Sequence, residues 1–446
     1  MEVIDLPTAI EIFKLLPKTN CGDCGFPTCL AFAMQLANQK VKLEDCPHVS
    51  EETKSSLEAS SAPPIRLVKI GAGENVIETG DETEMFRHEK KFFHPIAYAL
   101  AISDSLDDQG IEARVEEATS LRFERVGQMM IMDMVAVRND SGDPTKFTSA
   151  VEAVASRTEM PMILVSEDPA AMREAASRVA DRRPLLSRVT AGNTDEMASV
   201  AKELSCPLVV RSEDGLESLA DLVEKVRSSG VEDIVLDFAA TSLRNLLENS
   251  TIVRRHSVKK TFRGLGYPMI TDTAGSKKAL ALGLMATMKY GSIVIFDDLP
   301  PEHALPMFVL RQNIFTDPQV PIQVKPELYP INNPGEDAPL MFTTNFSLTY
   351  FTVMGDVEKS KMPVWLQVVD TEGLSVMTAF SAGKLTPESV AKALNDSDAC
   401  QKSKSGIIII PGMVTRMSGK LEELTDLKVI VGPRESSGIS KLLKSM

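Results

Sequence analysis

Short, unbroken apolar runs alternate with amphipathic stretches over most of this chain. Between residues 66 and 317 the runs are RLVKI (66–70), IAYALAI (96–102), MMIMDMVAV (129–137), PMILV (161–165), PLVVR (207–211), DIVLDF (233–238), YPMIT (267–271) and SIVIFD (292–297). Stretches of helical periodicity, such as DPAAMREAASRVAD and GLESLADLVEKVRSSG, separate them. Runs that are apolar at every position belong to strands buried on both faces, and helices between them cover a parallel sheet. Eight such units predict a closed (β/α)8 barrel, with an open doubly wound sheet as the alternative.

The pattern changes on either side of this region. EETKSSLEASSAPP, closed by the prolines at 63 and 64, reads as a linker. The proline-rich FTDPQVPIQVKPELYPINNPGEDAP (315–339) reads as a second one. Three domains are therefore expected, at 1–60, 61–325 and 326–446. The first has short apolar segments at 10–16 and 30–37 that predict helices. The last is expected to be a small αβ domain. Its predicted strands are LMFTT (340–344), TYFTVM (349–354), PVWLQVVD (363–370), LSVMTAF (374–380), GIIIIP (406–411) and KVIVG (428–432), with helices at PESVAKALND and SSGISKLLKSM.

Chemistry enters first through cysteine. Cys21, Cys24 and Cys29 fall in C-x2-C-x4-C spacing, and Cys46 follows after sixteen intervening residues, just before Pro47. Three thiolates on one loop and a fourth returning after a helix suit an iron–sulfur cluster or zinc. A zinc ribbon pairs two C-x2-C knuckles and this segment has one, so the grouping favours a [4Fe-4S] cluster over structural zinc, with a disulfide as the third reading. A helix opening near Cys29 is expected to aim backbone N–H groups at the cluster sulfurs and favour the reduced state. Cys206 and Cys400 are isolated and read as inert thiols.

Charge removes some functions. A net charge of −14, with no basic cluster, argues against nucleic-acid binding. The acidic N-terminus lacks a secretory pattern, and no apolar stretch is long enough to span a bilayer, so a cytoplasmic location is expected.

Polar loops at TTNFSLT (343–349), DTEGLS (370–375) and GPRESSG (432–438) follow or begin strands of the last domain, where a ligand site and ordinary turns are both readable. The five histidines are His48, His88, His94, His256 and His303, so the last domain has no imidazole to offer a metal. The charged, aromatic GDETEMFRHEKKFFH (80–94) reads as a partner surface or as a solvated helix face. Asp237, Asp272 and Asp297 fall near the carboxyl ends of barrel strands, where barrel enzymes place their chemistry, but helix capping accounts for them equally well.

CGDCGFPTCLAFAMQLA, GDETEMFRHEKKFF, RQNIFTDPQV, TTNFSLTYF, DTEGLSV and IVGPRESSGI together resemble the large (gamma) subunit of the corrinoid iron–sulfur protein of the acetyl-CoA decarbonylase/synthase system, nearly end to end. The resemblance implies the same three-part layout: an N-terminal [4Fe-4S] domain, a central barrel and a C-terminal corrinoid-binding domain. It implies a methyl carrier of the reductive acetyl-CoA pathway of carbon fixation, in the methyltransferase class. Cob(I)amide would accept methyl from methyl-tetrahydrofolate, or methyl-tetrahydropterin, on a separate methyltransferase. It would pass the methyl to the nickel centre of acetyl-CoA synthase, while the cluster returns inert cob(II) to service with an electron from a low-potential donor. The family pattern carries the cluster to Cys21, Cys24, Cys29 and Cys46. It carries corrinoid contacts to Thr343, Thr349, Gly373, Leu374, Ser375, Val376, Arg434, Glu435 and Ser436, with no protein histidine on cobalt. A small subunit completing a heterodimer is implied as well. Without the resemblance, an Fe–S/flavin electron-transfer protein is the competing reading, and catalysis by the barrel on the methyl-pterin a third.

Overall fold

A computed structural model describes residues 9–37, 41, 43–49, 63–89 and 91–446, so most of the first expected linker lies outside the described residues. The chain divides into two compact units, residues 1–122 with 131–315, and residues 123–130 with 316–446.

The large unit is built on eight parallel strands: β3 (Ala97–Ser103), β6 (Met134–Arg138), β7 (Met162–Val165), β8 (Leu185–Val189), β9 (Leu208–Arg211), β10 (Ile234–Asp237), β11 (Ile270–Asp272) and β12 (Ile293–Phe296). They pair in the order β10-β9-β8-β7-β6-β3-β12-β11, and a parallel bridge from Leu236 to Met269 joins the two ends. The sheet is therefore a barrel rather than an open sheet. Alternate residues point inward, and Ala97, Ala99, Ala101, Ala136, Ile163, Val209, Val235 and Ile293 share one buried core. The opposite faces, including Tyr98, Leu100, Val135 and Leu164, are also buried, which is why these strands read as continuous apolar runs.

One of the expected barrel strands was misplaced, and another run holds two strands. RLVKI does not join the barrel: Val68–Ala72 (β1) pairs antiparallel with Asn75–Thr79 (β2). Val68 and Ile70 enter the barrel core, and backbone bonds from Arg66 to Gly266 and from Gly71 to Arg183 fix this hairpin over the amino ends of the strands. The missing strand is β8, LLSRV, whose serine and arginine break the apolar run. MMIMDMVAV divides in two: Gln128–Ile131 (β5) forms a hairpin with Arg122–Arg125 (β4), and Met134 begins β6.

The 80–94 segment forms turns and extended chain among its described residues, not a helix face. Glu82 accepts hydrogen bonds from the Phe93 and His94 amides and pairs with buried Arg254 at 3.1 Å. Phe92 and Tyr290 flank the Arg254 guanidinium. The segment is a strap on the barrel, and Phe86 is its exposed aromatic ring.

In the small unit the sheet order is β13-β15-β14-β16-β17, from Leu328–Ile331 (β13), Leu340–Thr344 (β14), Val364–Val369 (β15), Ile407–Ile410 (β16) and Lys428–Val431 (β17). All pairs are parallel except edge strand β13. β13 lies inside the proline-rich stretch read as a linker, and Gln323 bridges Phe346 in the same stretch. TYFTVM and LSVMTAF are helical rather than extended, in Ser347–Ser360 and Val376–Ser381. Among the described residues no helix is long and apolar enough to cross a membrane.

Arg311 anchors the last barrel helix, Pro301–Phe315, by pairing with Asp133 and donating to the Ile131 and Ile96 carbonyls. Both side chains are largely buried. Removing one partner of such a pair strands the other charge. Arg311→Ala should therefore lower stability by about 3–5 kcal/mol, read as a fall in the urea midpoint of the large unit's transition.

Candidate functional site

The N-terminal segment is a small core of its own. Helices Ala9–Leu15 and Cys29–Ala37 pack through Ile12, Phe32, Ala33 and Leu36, and Leu43, Cys46 and Val49 close it. Between the helices, Gly22 and Gly25 both take φ of +82°, and the Gly25 amide bonds the Gly22 carbonyl at 2.9 Å. This turn, which favours glycine at positive φ, carries Cys21 and Cys24. Cys29 opens the second helix, and Cys46 follows a short 3₁₀ turn whose Leu43 carbonyl accepts its amide.

The four cysteines share this one small region, and the ligand atoms that lie within 4.8 Å of one another among the described residues are those of Cys21, Asp23 and His48. Burial pushes the Cys46 thiol above its ordinary range, the His48 amide opposes this, and Cys24, Cys29 and Cys21 add to the rise by repulsion. A set of four cysteines is what iron–sulfur clusters and zinc take. Beside Cys21, His48 Nε2 and Asp23 Oδ2 pair with each other at 2.7 Å.

The expected use of the helix N-terminus is only half right. The Cys29 amide donates to Asn20 Oδ1 at 2.8 Å, and the Ala31 amide to Thr28 Oγ1 at 3.1 Å, so neither donates to a sulfur. The donor that reaches Cys29 Sγ, at 3.4 Å, is the backbone amide of Asn20.

The second site is a cleft in the small unit. β14 pairs with β15 along five residues, through Thr344, whereas its described ladder with β16 is two pairs, ending at Met341 and Ile409. Beyond that point the strands part. The gap is the switch point of the sheet, since the chain passes from β14 to β15 on one side and returns to β16 on the other. The resulting cleft of about 270 Å³ is mostly apolar, floored by Met341, Ile409 and Ile410. Leu348 and Met413 on its wall are 68% and 50% exposed, far more than large apolar residues of a finished surface need be.

Five of the nine expected contact residues line this cleft: Thr343, Thr349, Val376, Arg434 and Ser436. Gly373, Leu374, Ser375 and Glu435 lie in the same loops but do not line it. Leu348, Met413 and Pro411 line it and were not anticipated; an apolar residue heading a helix, as Leu348 does, was the available signal. Thr343 Oγ1 is buried at the cleft without a hydrogen-bond partner, and Thr344 Oγ1 and Ser347 Oγ are in the same state nearby. Buried hydroxyls are ordinarily satisfied, so this end of the sheet is built for a polar group supplied from outside.

Asn345 holds the loops together and was also missed. Its Oδ1 accepts from the Thr371 amide, the Thr371 hydroxyl and the Gly373 amide, each at 3.0 Å, and its Nδ2 donates to Asp370 and Gln323. Gly373 has φ of +74°, and a Cβ there would meet Gln323 Cγ at 2.8 Å, so only glycine fits.

The barrel mouth holds the three aspartates as ion-pair partners. Arg138 bonds Asp272 at 2.5 Å and Asp297 at 3.3 Å, Arg188 bonds Asp272 at 2.9 Å, and Arg211 bonds Asp237 at 2.9 Å. Asp272 and Asp237 also accept the amides of Ala274 and Ala239, two residues on, in the manner of a turn cap, and Asp297 accepts the Gly275 amide from the neighbouring loop.

Comparison with known proteins places both sites in context. Residues 67–443 match the family described as CO dehydrogenase/acetyl-CoA synthase delta subunit, and residues 16–48 match one described as "Putative Fe-S cluster". The corrinoid/iron-sulfur protein large subunit of Moorella thermoacetica is 46% identical, covering 97% of each chain. The acetyl-CoA decarbonylase/synthase complex subunit gamma of Archaeoglobus fulgidus is 35% identical over 98% of this chain and 97% of its own. Among solved structures, the dihydropteroate synthase of Xanthomonas albilineans covers 56% of this chain and all of its own, at 13% identity and a TM-score of 0.40, too distant to bear on chemistry.

Asn345→Leu keeps the side chain's size and removes its bonds. It should destabilise the small unit by about 2–3 kcal/mol, since several buried groups lose partners. Amide exchange at Thr371 and Gly373 should accelerate while exchange in β16 changes less. Uniform acceleration would mean that Asn345 supports the whole unit rather than its loops.

Proposed function

We propose, from the premise that this chain belongs to the family of corrinoid/iron–sulfur protein large subunits, that it is a methyl carrier with a built-in electron relay. The observation that carries the reading is the pairing, on one chain, of four cysteines gathered in one small segment with an apolar cleft whose buried hydroxyl lacks a partner. A bound corrinoid supplies a cobalt that accepts and gives up a methyl group, and a bound [4Fe-4S] cluster supplies single electrons that keep the cobalt in its nucleophilic state.

The residues divide the work. Cys21, Cys24, Cys29 and Cys46 would hold the cluster. At the cleft, Leu348, Val376 and Met413 would pack against the macrocycle, and Thr343 Oγ1, Thr349, Arg434 and Ser436 would meet its amide side chains. Gly373, Leu374 and Ser375 would shape the adjoining loop from behind, where Asn345 fixes it, and Glu435 would shape the turn after β17. No histidine follows His303, so the small unit brings no imidazole to the metal. Fewer axial ligands favour the reduced metal. The cleft is open on the side of Leu348 and Met413, so this chain would cover one side of the ring. The small subunit of the heterodimer would close the remainder, and a methyltransferase and acetyl-CoA synthase would be served in turn.

The ion pairs at the barrel mouth support a scaffold role for the barrel, because Asp272 sits between Arg138 and Arg188 where a substrate would enter. A transfer assay with the small partner but no separate methyltransferase tests this: rapid turnover would return catalysis to the barrel.

Elemental analysis and an absorption spectrum of the anaerobically purified heterodimer test the whole reading. About one cobalt and four irons are expected. Iron with a flavin spectrum would favour an electron-transfer protein, and zinc would remove the redox role. In the loaded heterodimer, Cys24→Ala should leave methyl transfer from already reduced cobalt largely intact and abolish reactivation of oxidised cobalt. Equal loss of both would make the cluster structural.

A further inference from the structure

Resting on the cluster reading above, we infer that Asn20 is a positioning residue for the cluster, setting its reduction potential through Cys29. Two hydrogen bonds join the pair in opposite senses. The Asn20 amide donates to Cys29 Sγ at 3.4 Å, and the Cys29 amide donates to Asn20 Oδ1 at 2.8 Å. The pair spans nine residues of sequence and closes the loop that carries Cys21 and Cys24.

Each part of asparagine has a task in this clamp. Asn20 takes φ of +48°, a left-handed conformation that asparagine tolerates better than most residues with a Cβ. That conformation turns its amide toward the sulfur. The side-chain oxygen then takes the first amide of the helix, which would otherwise need water or a sulfur. Thr28, at the N-cap, accepts the Ala31 amide in the ordinary way, so Asn20 adds a partner for an amide that the cap does not reach. Sulfur and helix are thereby fixed relative to each other from outside the helix.

The consequence for a bound cluster follows from charge. An N–H directed at a ligand sulfur stabilises the more negative, reduced cluster and raises its potential, so losing the bond lowers it. Because Cys29 is buried, water is a poor substitute for the missing donor.

Two substitutions separate the tasks. Asn20→Gly retains the left-handed backbone, and with it the donor to sulfur, but deletes the acceptor. Asn20→Ala deletes the acceptor and also strains the backbone that aims the donor. The measurements are iron content and an EPR-monitored redox titration of the cluster in the purified heterodimer. Asn20→Ala should keep its iron but show a more negative potential and an altered EPR signal of the reduced cluster. Asn20→Gly should lie between Asn20→Ala and the unaltered protein. An Asn20→Ala cluster with full iron and an unchanged potential would overturn the inference while leaving the cluster reading intact. Equal loss of iron in both variants would also overturn it, making Asn20 a support of the loop alone. An unaltered protein that carries zinc would sink the cluster reading itself, and the inference with it.

Discussion

Burial of both faces of the parallel strands decides where this chain can do chemistry. In the barrel one face meets the interior and the other meets helices; in the small unit helices and loops cover the central strands in the same way. Polar groups are thereby driven to the strand ends. The two units treat those ends differently. At the barrel mouth, guanidinium and carboxylate groups neutralise one another, leaving the Nε atoms of Arg138 and Arg188 without partners. At the small sheet the groups are neutral hydroxyls, and Thr343, Thr344 and Ser347 have nothing to bond. One end is largely occupied by its own charges; the other is prepared for a visitor.

The parting of β14 and β16 turns that preparation into a site. Had their ladder run as far as that of β14 and β15, the hydroxyl of Thr343 would sit over a continuous sheet. Instead Asn345, one residue past β14, reaches across to tie down the loop after β15 and leaves the other flank open. The rigid side of the cleft and its open side are thus set by neighbouring residues on one connection.

This balance explains which parts of the molecule could be read in advance. Strands buried on both faces announce themselves, so seven barrel strands were placed from apolar runs alone, though one run also held a hairpin strand. LLSRV escaped because its serine and arginine interrupt the apolar run. RLVKI intruded because Val68 and Ile70 are as buried as barrel strands, in a hairpin that plugs the end. TYFTVM carries β-branched and aromatic residues yet is helical, because the chain must cross over between parallel strands β14 and β15 there. Cysteine spacing located one candidate site. The cleft loops came from family resemblance, since Gly, Ser and Thr in a loop are equally at home in an ordinary turn. Asn345 and Asn20 were invisible in sequence: their importance lies in bonds to residues brought close by the fold.

The two asparagines show how a site can combine firmness with exposure. A group that must be reached by other proteins cannot be enclosed by its own chain, so the rigidity that enclosure would give has to come from behind. Asn345 braces the cleft loop from its buried side, leaving Leu348 and Met413 uncovered. Asn20 braces Cys29 from outside its helix, leaving Cys21 exposed. In each case one short side chain fixes the backbone on the protected side, and the reactive side stays available to a partner.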